Sequence, residues 1–371
     1  MRVALVASRY LPHQGALEQR VHELARELVR READVEVLTQ DRARRSSRVL
    51  EHEGVLVRCF HTSLGSPSTV APGLWEHLRR TAATFDLADA HGAHPLLALA
   101  AAWAGVRRLV FTPHVPMEHL LSRSHAVVTR AVVDHAALTV CTSRAEASLL
   151  RRTLPLAAEQ VHVIPSGVHV AAIQAAEPFP GQDGVVLAVG RLERRKRLDR
   201  VIAAMVALGA GLRLVVIGEG PARRRLEAHA SDLLISSLVE FVGPVPDVEL
   251  HRWLRTARVL VDLAEESGSG LQLLEARAAG IPAVVSDIPA HREAASRVGN
   301  DGVLFVPPRG SPLDVAEAIL HATAIRVAQQ PRLGLPSWHM AVNSTLALYD
   351  ELILGRPQAA GPLGVGSTAE G

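Results

Sequence analysis

The sequence predicts an α/β protein made of two doubly wound parallel-sheet halves that face each other across a cleft. Three observations predict it. At 371 residues the chain exceeds what one hydrophobic core organises. Short runs rich in Val, Leu and Ile alternate with longer amphipathic stretches, as in parallel sheets covered by helices. The alternation breaks at Glu177-Pro178-Phe179-Pro180-Gly181-Gln182-Asp183-Gly184, where proline and glycine oppose regular structure, and then starts again.

Candidate strands in the first half are Val3 to Ala7, Val35 to Thr39, Val55 to Cys59, Leu109 to Thr112 and Leu138 to Cys141. After the first of them, Val21, Leu24, Ala25, Leu28 and Val29 recur at helical spacing, with Arg20, Glu23, Arg26, Glu27 and Arg30 between them. The second series runs through Val185 to Val189, Leu212 to Ile217, Leu238 to Phe241, Val259 to Leu263 and Ala283 to Ser286. The first half therefore covers 1–170, the linker 171–184, and the second half begins at 185. The last segment, 355–371, is rich in Gly, Pro and Ala and is expected to be a disordered tail.

Composition narrows the function. A 48% share of hydrophobic residues and a net charge of +2 describe a globular protein whose basic residues are interleaved with acids. With only 3% aromatic residues there are few stacking platforms, so no nucleic-acid partner is expected. Cys59 and Cys141 have no C-x-x-C spacing, which excludes a zinc ribbon and suits a reducing compartment. Val3 to Ala7 is too short for the apolar core of a signal peptide, and no stretch reaches the roughly 18 apolar residues of a membrane span. A cytoplasmic protein is expected.

Lys196 is the only lysine among forty Lys and Arg residues. Most exposed sites need only positive charge, so a lysine retained in an arginine-rich chain points to a need for a compact ammonium on a flexible stem. It follows a strand that ends at Gly190, in Gly190-Arg191-Leu192-Glu193-Arg194-Arg195-Lys196. There Arg191 and Lys196 would face the cleft beside a helix N-terminus, which itself favours anions. This reads as a diphosphate site; a solvated basic face is the alternative and suits Arg194, Arg195 and Arg197. Gly218-Glu219-Gly220-Pro221 is a strand-to-helix turn through which backbone could approach a ligand, or only a tight connection between the two elements. Ser267-Gly268-Ser269-Gly270-Leu271 puts small residues at a helix start, and Glu275 lies on that helix, placed to accept from ribose hydroxyls.

Gly190-Arg191-Leu192 with Lys196 and Asp199, then Gly218-x-Gly220-Pro221, Phe241-Val242-Gly243, and Gly270-Leu271-x-x-x-Glu275-Ala276 with Gly280-x-Pro282 together resemble the ordered motifs of glycosyltransferase family 4. The resemblance extends from Met1 to about Leu354. It implies the GT-B fold, with two Rossmann-like domains, the second ending near residue 335, and a helix over 336–354 that returns to the first. It implies a retaining transferase moving a sugar from a nucleotide-diphosphate donor, with UDP or GDP as carrier, to a hydroxyl of a lipid, glycan or natural product. Carried over residue by residue, Arg191 and Lys196 would hold the diphosphate below Gly190, Gly270 and Leu271 with Ser269 would offer amides, and Glu275 would bind ribose. Val242, Gly243 and Pro244 would line the base pocket. Gly15, in Pro12-His13-Gln14-Gly15-Ala16, would let a first-domain loop approach the phosphates, and His114 would touch the donor sugar.

Three positions depart from the family pattern. Ser267 stands where the family commonly carries a first glutamate that contacts donor-sugar hydroxyls, which implies a deoxygenated or otherwise altered sugar, compensation by Glu266 one place earlier, or weakened catalysis. Ala16 replaces a second glycine, and Pro165-Ser166-Gly167-Val168-His169 replaces an Asn- and Asp-bearing stretch. These leave a catalytically silent relative that supports a partner enzyme as the second reading. A nicotinamide dehydrogenase would need G-x-G-x-x-G after the first strand, where Ala7-Ser8-Arg9-Tyr10-Leu11-Pro12 stands; a P-loop is also absent. No cofactor and no metal are expected, since Arg191 and Lys196 supply the charge that a magnesium ion near Asp262-Leu263-Ala264-Glu265-Glu266 would. Leu74 to Arg80 could form a basic amphipathic turn, which keeps peripheral contact at the inner membrane face open, although an ordinary surface helix explains it better.

Overall fold

The computed structural model describes the chain except residues 12–14, 42–46, 63–69, 93–94, 115–122, 155, 210, 328–333 and 356–371, and only the backbone of 123 and 124. Pro12, His13 and Gln14, and the tail beyond Gly355, thus lie outside the described residues. The first half carries β1 (Arg2–Ala7), β2 (Asp34–Asp41), β3 (Arg48–His52), β4 (Val55–His61), β5 (Leu87–His91), β6 (Leu109–Thr112), β7 (Leu138–Cys141) and β8 (Val161–Val163). They form one sheet in the order β3-β4-β2-β1-β5-β6-β7-β8, parallel except for the β3–β4 pair.

The second half carries β9 (Val185–Val189), β10 (Arg213–Ile217), β11 (Val239–Gly243), β12 (Val259–Asp262), β13 (Ala283–Ser286) and β14 (Val303–Val306). Their order is β11-β10-β9-β12-β13-β14, all parallel. In each sheet the first strand lies between two neighbours whose chains continue in opposite directions. The crevice beyond the carboxyl ends of β1 and β5, and of β9 and β12, is where ligands of such sheets bind. That topology places both halves of the site.

The strands are buried Val, Leu, Ile and Ala runs, as sheets covered on both faces require. Helix Ala16–Arg30 buries Val21, Leu24, Ala25 and Leu28 as its spacing predicts. It also buries Arg20, which the spacing assigns to the polar side: the guanidinium donates to the Ile164 carbonyl at 2.9 Å and to Thr345 Oγ1 at 3.5 Å. Helix Trp338–Leu354 returns to the first half, where Trp338, Val342, Leu346 and Tyr349 share a core with Val3, Leu5, Val21 and Leu24. Helix Pro72–Thr81 buries Leu74 and Leu78 in the first core with Trp75 packed against it, so its apolar face is spent on the sheet. Among the described residues no helix is long and apolar enough to cross a membrane.

Four strands are missing from the sequence reading. β3 is an exposed antiparallel edge, β8 and β14 are three and four residues long, and β5 is Leu-Ala-Asp-Ala-His, whose buried Asp and His conceal a core strand. The start of the linker is also corrected, since Val170–Ala175 is a helix that buries Ile173 in the second half's core.

Candidate active site

β9 runs into Gly190, whose φ of 134° is a conformation that a side chain disfavours. A single 3₁₀ turn, Arg194–Lys196, follows, and the lysine folds back so that a Cβ on Gly190 would lie 3.5 Å from its Cε and 3.7 Å from Nζ. Nζ is 3.3 Å and 3.4 Å from the two oxygens of Asp262, the last residue of β12. The side chains are 12% and 3% exposed. Lysine and aspartate therefore meet at the point where the strand order reverses, inside the crevice.

Asp262 is held from below as well. His291 Nε2 lies 3.5 Å from Oδ2, and its Nδ1 faces the Ser286 carbonyl at 2.9 Å. Burial pushes the Asp262 carboxyl up, but Lys196, His291 and the Ala264 amide outweigh it and hold the group well below the usual carboxylate range. Glu275 goes the other way: burial and the charge of Asp247 push its carboxyl up to about 8, with Lys196 opposing. One ammonium thus interacts with two carboxylates, one firmly ionised and one that keeps its proton near neutrality.

This raised value makes Glu275 a stability sensor. Between 4.5 and about 8 the folded chain keeps a proton that the unfolded chain releases, so the contribution is complete below 4.5 and is lost as pH rises through about 8. The urea midpoint of the native protein should fall relative to that of Glu275→Gln between about pH 5 and about pH 9. Parallel curves would contradict the assignment.

Other predicted site residues have partners within the chain. Arg191 does not share the buried pocket: its side chain is 42% exposed and pairs with Glu193 at 2.8 Å, while Glu193 also takes Arg195 at 2.7 Å. A surface pair of this kind holds only about 0–1 kcal/mol, so the guanidinium is free to turn toward an arriving anion. The Gly270 amide is not open either, because it donates to Ser267 Oγ at 3.0 Å. Gly270 serves packing: with φ 64°, a Cβ would fall 2.8 Å from that of Ala294 and 3.2 Å from the Ala290 carbonyl. The amides that helix Leu271–Ala279 presents therefore begin at Leu271. Gly218 and Gly220 likewise let the loops touch rather than admit a ligand, since Cβ atoms there would overlap the carbonyl oxygens of Gly190 and Leu192.

Ser269 and Glu266 are half-buried in the same loop. Neighbouring Glu265 accepts from Arg197 at 2.6 Å, so the acid-rich strand end is already neutralised by Lys196 and Arg197. Val242 is half-buried, Pro244 is exposed, and Gly243, with φ 90°, accepts from the Gly218 amide at 2.9 Å at the end of β11.

The first half closes over this pocket. Gly15 caps helix Ala16–Arg30, Ala16 packs against the second half's core, and Gln19 reaches Asp247 at 3.4 Å. Glu293 accepts from the amides of Arg144 and Ala145 at 2.9 and 3.0 Å, and a Cβ on Gly268 would lie 3.2 Å from Thr142 Oγ1. His114, just past β6, has φ 48°, and its Nε2 is 3.4 Å from His91 Nδ1. Burial, His91 and Arg20 hold its ring well below the usual imidazole range, so it is neutral at pH 7. Sequence reasoning missed Asp89, His91 and Tyr349 around it. The signal was the two-residue spacing of Asp89 and His91, which puts both on one face of a strand.

Comparison with known proteins decides the family. The profile described as Glycosyltransferase Family 4 matches residues 17–172, and that described as Glycosyl transferases group 1 matches residues 170–329. The chain belongs to glycosyltransferase family 4. Within the family it is 28% identical to D-inositol 3-phosphate glycosyltransferase 1 of Catenulispora acidiphila, across 92% of each chain. It is 25% identical to D-inositol 3-phosphate glycosyltransferase of Jonesia denitrificans, across 91% of each chain. Among solved structures, sucrose-phosphate synthase from Thermosynechococcus elongatus superposes with a TM-score of 0.75 at 20% identity, covering 96% of this chain and all of that one. HepE from Anabaena, in complex with UDP and glucose, gives 0.74 at 17% identity, covering 95% and 100%. The family 4 chain therefore has the GT-B fold, and it is a glycosyltransferase.

Proposed function

We propose that the chain transfers a sugar from a nucleoside-diphosphate donor to a hydroxyl acceptor with retention at the anomeric carbon. The observation that carries this is Lys196, an ammonium paired with Asp262 and acting by its charge on Glu275, where β9 and β12 diverge. As the bond from anomeric carbon to phosphate breaks, negative charge gathers on the leaving diphosphate. Lys196, the amides from Leu271 onward and the exposed guanidinium of Arg191 stabilise that charge more in the transition state than in the ground state.

Glu275 accepts from the ribose hydroxyls, the uracil or guanine base lies against Val242, Gly243 and Pro244, and His114 meets the sugar from the first half. In a retaining displacement the acceptor hydroxyl attacks from the departing side and passes its proton to the leaving phosphate oxygen. No protein base is then required, and the charge supplied by Lys196 and Arg191 leaves no step that calls for a bound metal. Ser267 Oγ accepts from the Gly270 amide at 3.0 Å, and a serine at this position supplies no carboxylate to the donor sugar, which suits a donor that lacks a hydroxyl there. The acceptor, a hydroxyl of a lipid, glycan or natural product, enters from the first half; the two relatives named above carry D-inositol 3-phosphate in their names. Cys59 and Cys141 remain buried free thiols, which supports a reducing, cytoplasmic setting.

A panel of nucleotide sugars tests the proposal by thermal shift and by slow release of free nucleotide without acceptor. The matching donor at a hundredfold excess over its Kd should add about 2.7 kcal/mol of stability. Binding without release from any donor would instead favour the catalytically silent relative, and no binding would overturn the donor assignment.

A further inference from the structure

The returning helix brings one polar group into the first half's core. Tyr349 is fully buried and donates its hydroxyl to Asp89 Oδ2 at 2.6 Å. Burial and the neighbouring carboxylate push the phenol far above its ordinary value, so it only donates. Asp89 is buried too; burial raises its carboxyl, but His91, Tyr349 and Arg20 prevail and keep it ionised, and Thr112 Oγ1 donates to Oδ1 at 3.3 Å. His91 Nε2 lies 3.1 Å from Asp89 Oδ2, and His91 Nδ1 lies 3.4 Å from His114 Nε2. Four side chains from β5, the loop after β6 and the last helix thus stand in line.

Electrostatics fixes the protons along that line. A lone pair on His91 Nε2 would face a carboxylate, so the proton belongs on that nitrogen even though the approach is bent. His114, held uncharged by burial, His91 and Arg20, carries a single ring proton. His91 then offers a Nδ1 lone pair to His114, and His114 answers with Nε2–H. We infer that Tyr349, Asp89 and His91 form a positioning chain that fixes the tautomer of His114, leaving its Nδ1 as the nitrogen that accepts from a donor-sugar hydroxyl. The closing helix is therefore part of the sugar site. His114 sits at a positive φ that residues other than glycine rarely adopt, as groups held for a function do.

The inference rests on the proposed contact between His114 and the donor sugar, so the experiment separates the two. Long-range proton–nitrogen NMR of ¹⁵N-histidine-labelled protein, with His114 assigned by its loss in His114→Gln, reads the tautomer without any change to the chain. The expected species is Nε2–H in the native protein, shifting to a mixture in Asp89→Asn. Tyr349→Phe, which removes only the hydroxyl, should lower kcat about tenfold with the donor KM nearly unchanged. Nδ1–H on His114 in the native protein would overturn the chain, as would full turnover in both Tyr349→Phe and Asp89→Asn while His114→Ala is impaired. Full turnover in His114→Ala would instead overturn the sugar contact itself.

Discussion

Lys196→Ala should lower transfer by about 10²- to 10³-fold, the loss seen when one preorganised donor to a developing anion is removed. The effect should fall on kcat as well as on donor affinity, because diphosphate charge grows as the glycosidic bond breaks. Folding should survive, since Asp262 keeps the Ala264 amide at 3.2 Å and His291 at 3.5 Å. Lys196→Arg should not restore activity. A planar guanidinium is bulkier than the ammonium that folds over Gly190, where a Cβ would already stand 3.7 Å from Nζ. Steady-state kinetics with the matched donor checks this, and a loss of less than tenfold in Lys196→Ala would refute the role.

Asp262→Ala should cost about 3 kcal/mol of folding stability, because it leaves a largely buried ammonium without its ionised partner. The folded carboxyl lies well below its unfolded value of 3.8. Its contribution is therefore present above that value and is lost as pH falls through the folded one. Urea unfolding should show the full difference near pH 7 and a shrinking one below about pH 4. A difference under about 1 kcal/mol near neutrality would place the pair among weak surface bridges.

Much of this architecture was legible in the residues. Val185 to Val189 and Ala283 to Ser286 appear as strands with the same limits, and the lone lysine lies in the crevice that the alternation of strands and helices implies. What stayed hidden follows from how sequence encodes packing. β5 was unreadable because Asp89 and His91 are paired inside the core, and a pattern of apolar residues registers only groups that need no partner. Arg20 escaped for the same reason: its hydrogen-bond acceptors, Ile164 and Thr345, are distant in the chain.

Gly218, Gly220 and Gly270 signal close backbone approach, but sequence cannot say whether a ligand or a neighbouring loop approaches, and here it is a loop or helix. Arg191 shows a further limit, since its nearest acid, Glu193, is two residues away and draws the side chain to the surface. A motif gives the residue, and the local charge balance decides where its side chain rests.

Calorimetric titration of UDP and GDP into the native protein and into Lys196→Ala addresses the central claim most directly. One of the two nucleotides should bind the native protein, and Lys196→Ala should weaken that binding at least about tenfold, the effect of about 1.4 kcal/mol from one charge-assisted contact. Equal affinity in the two proteins would show that the diphosphate lies elsewhere.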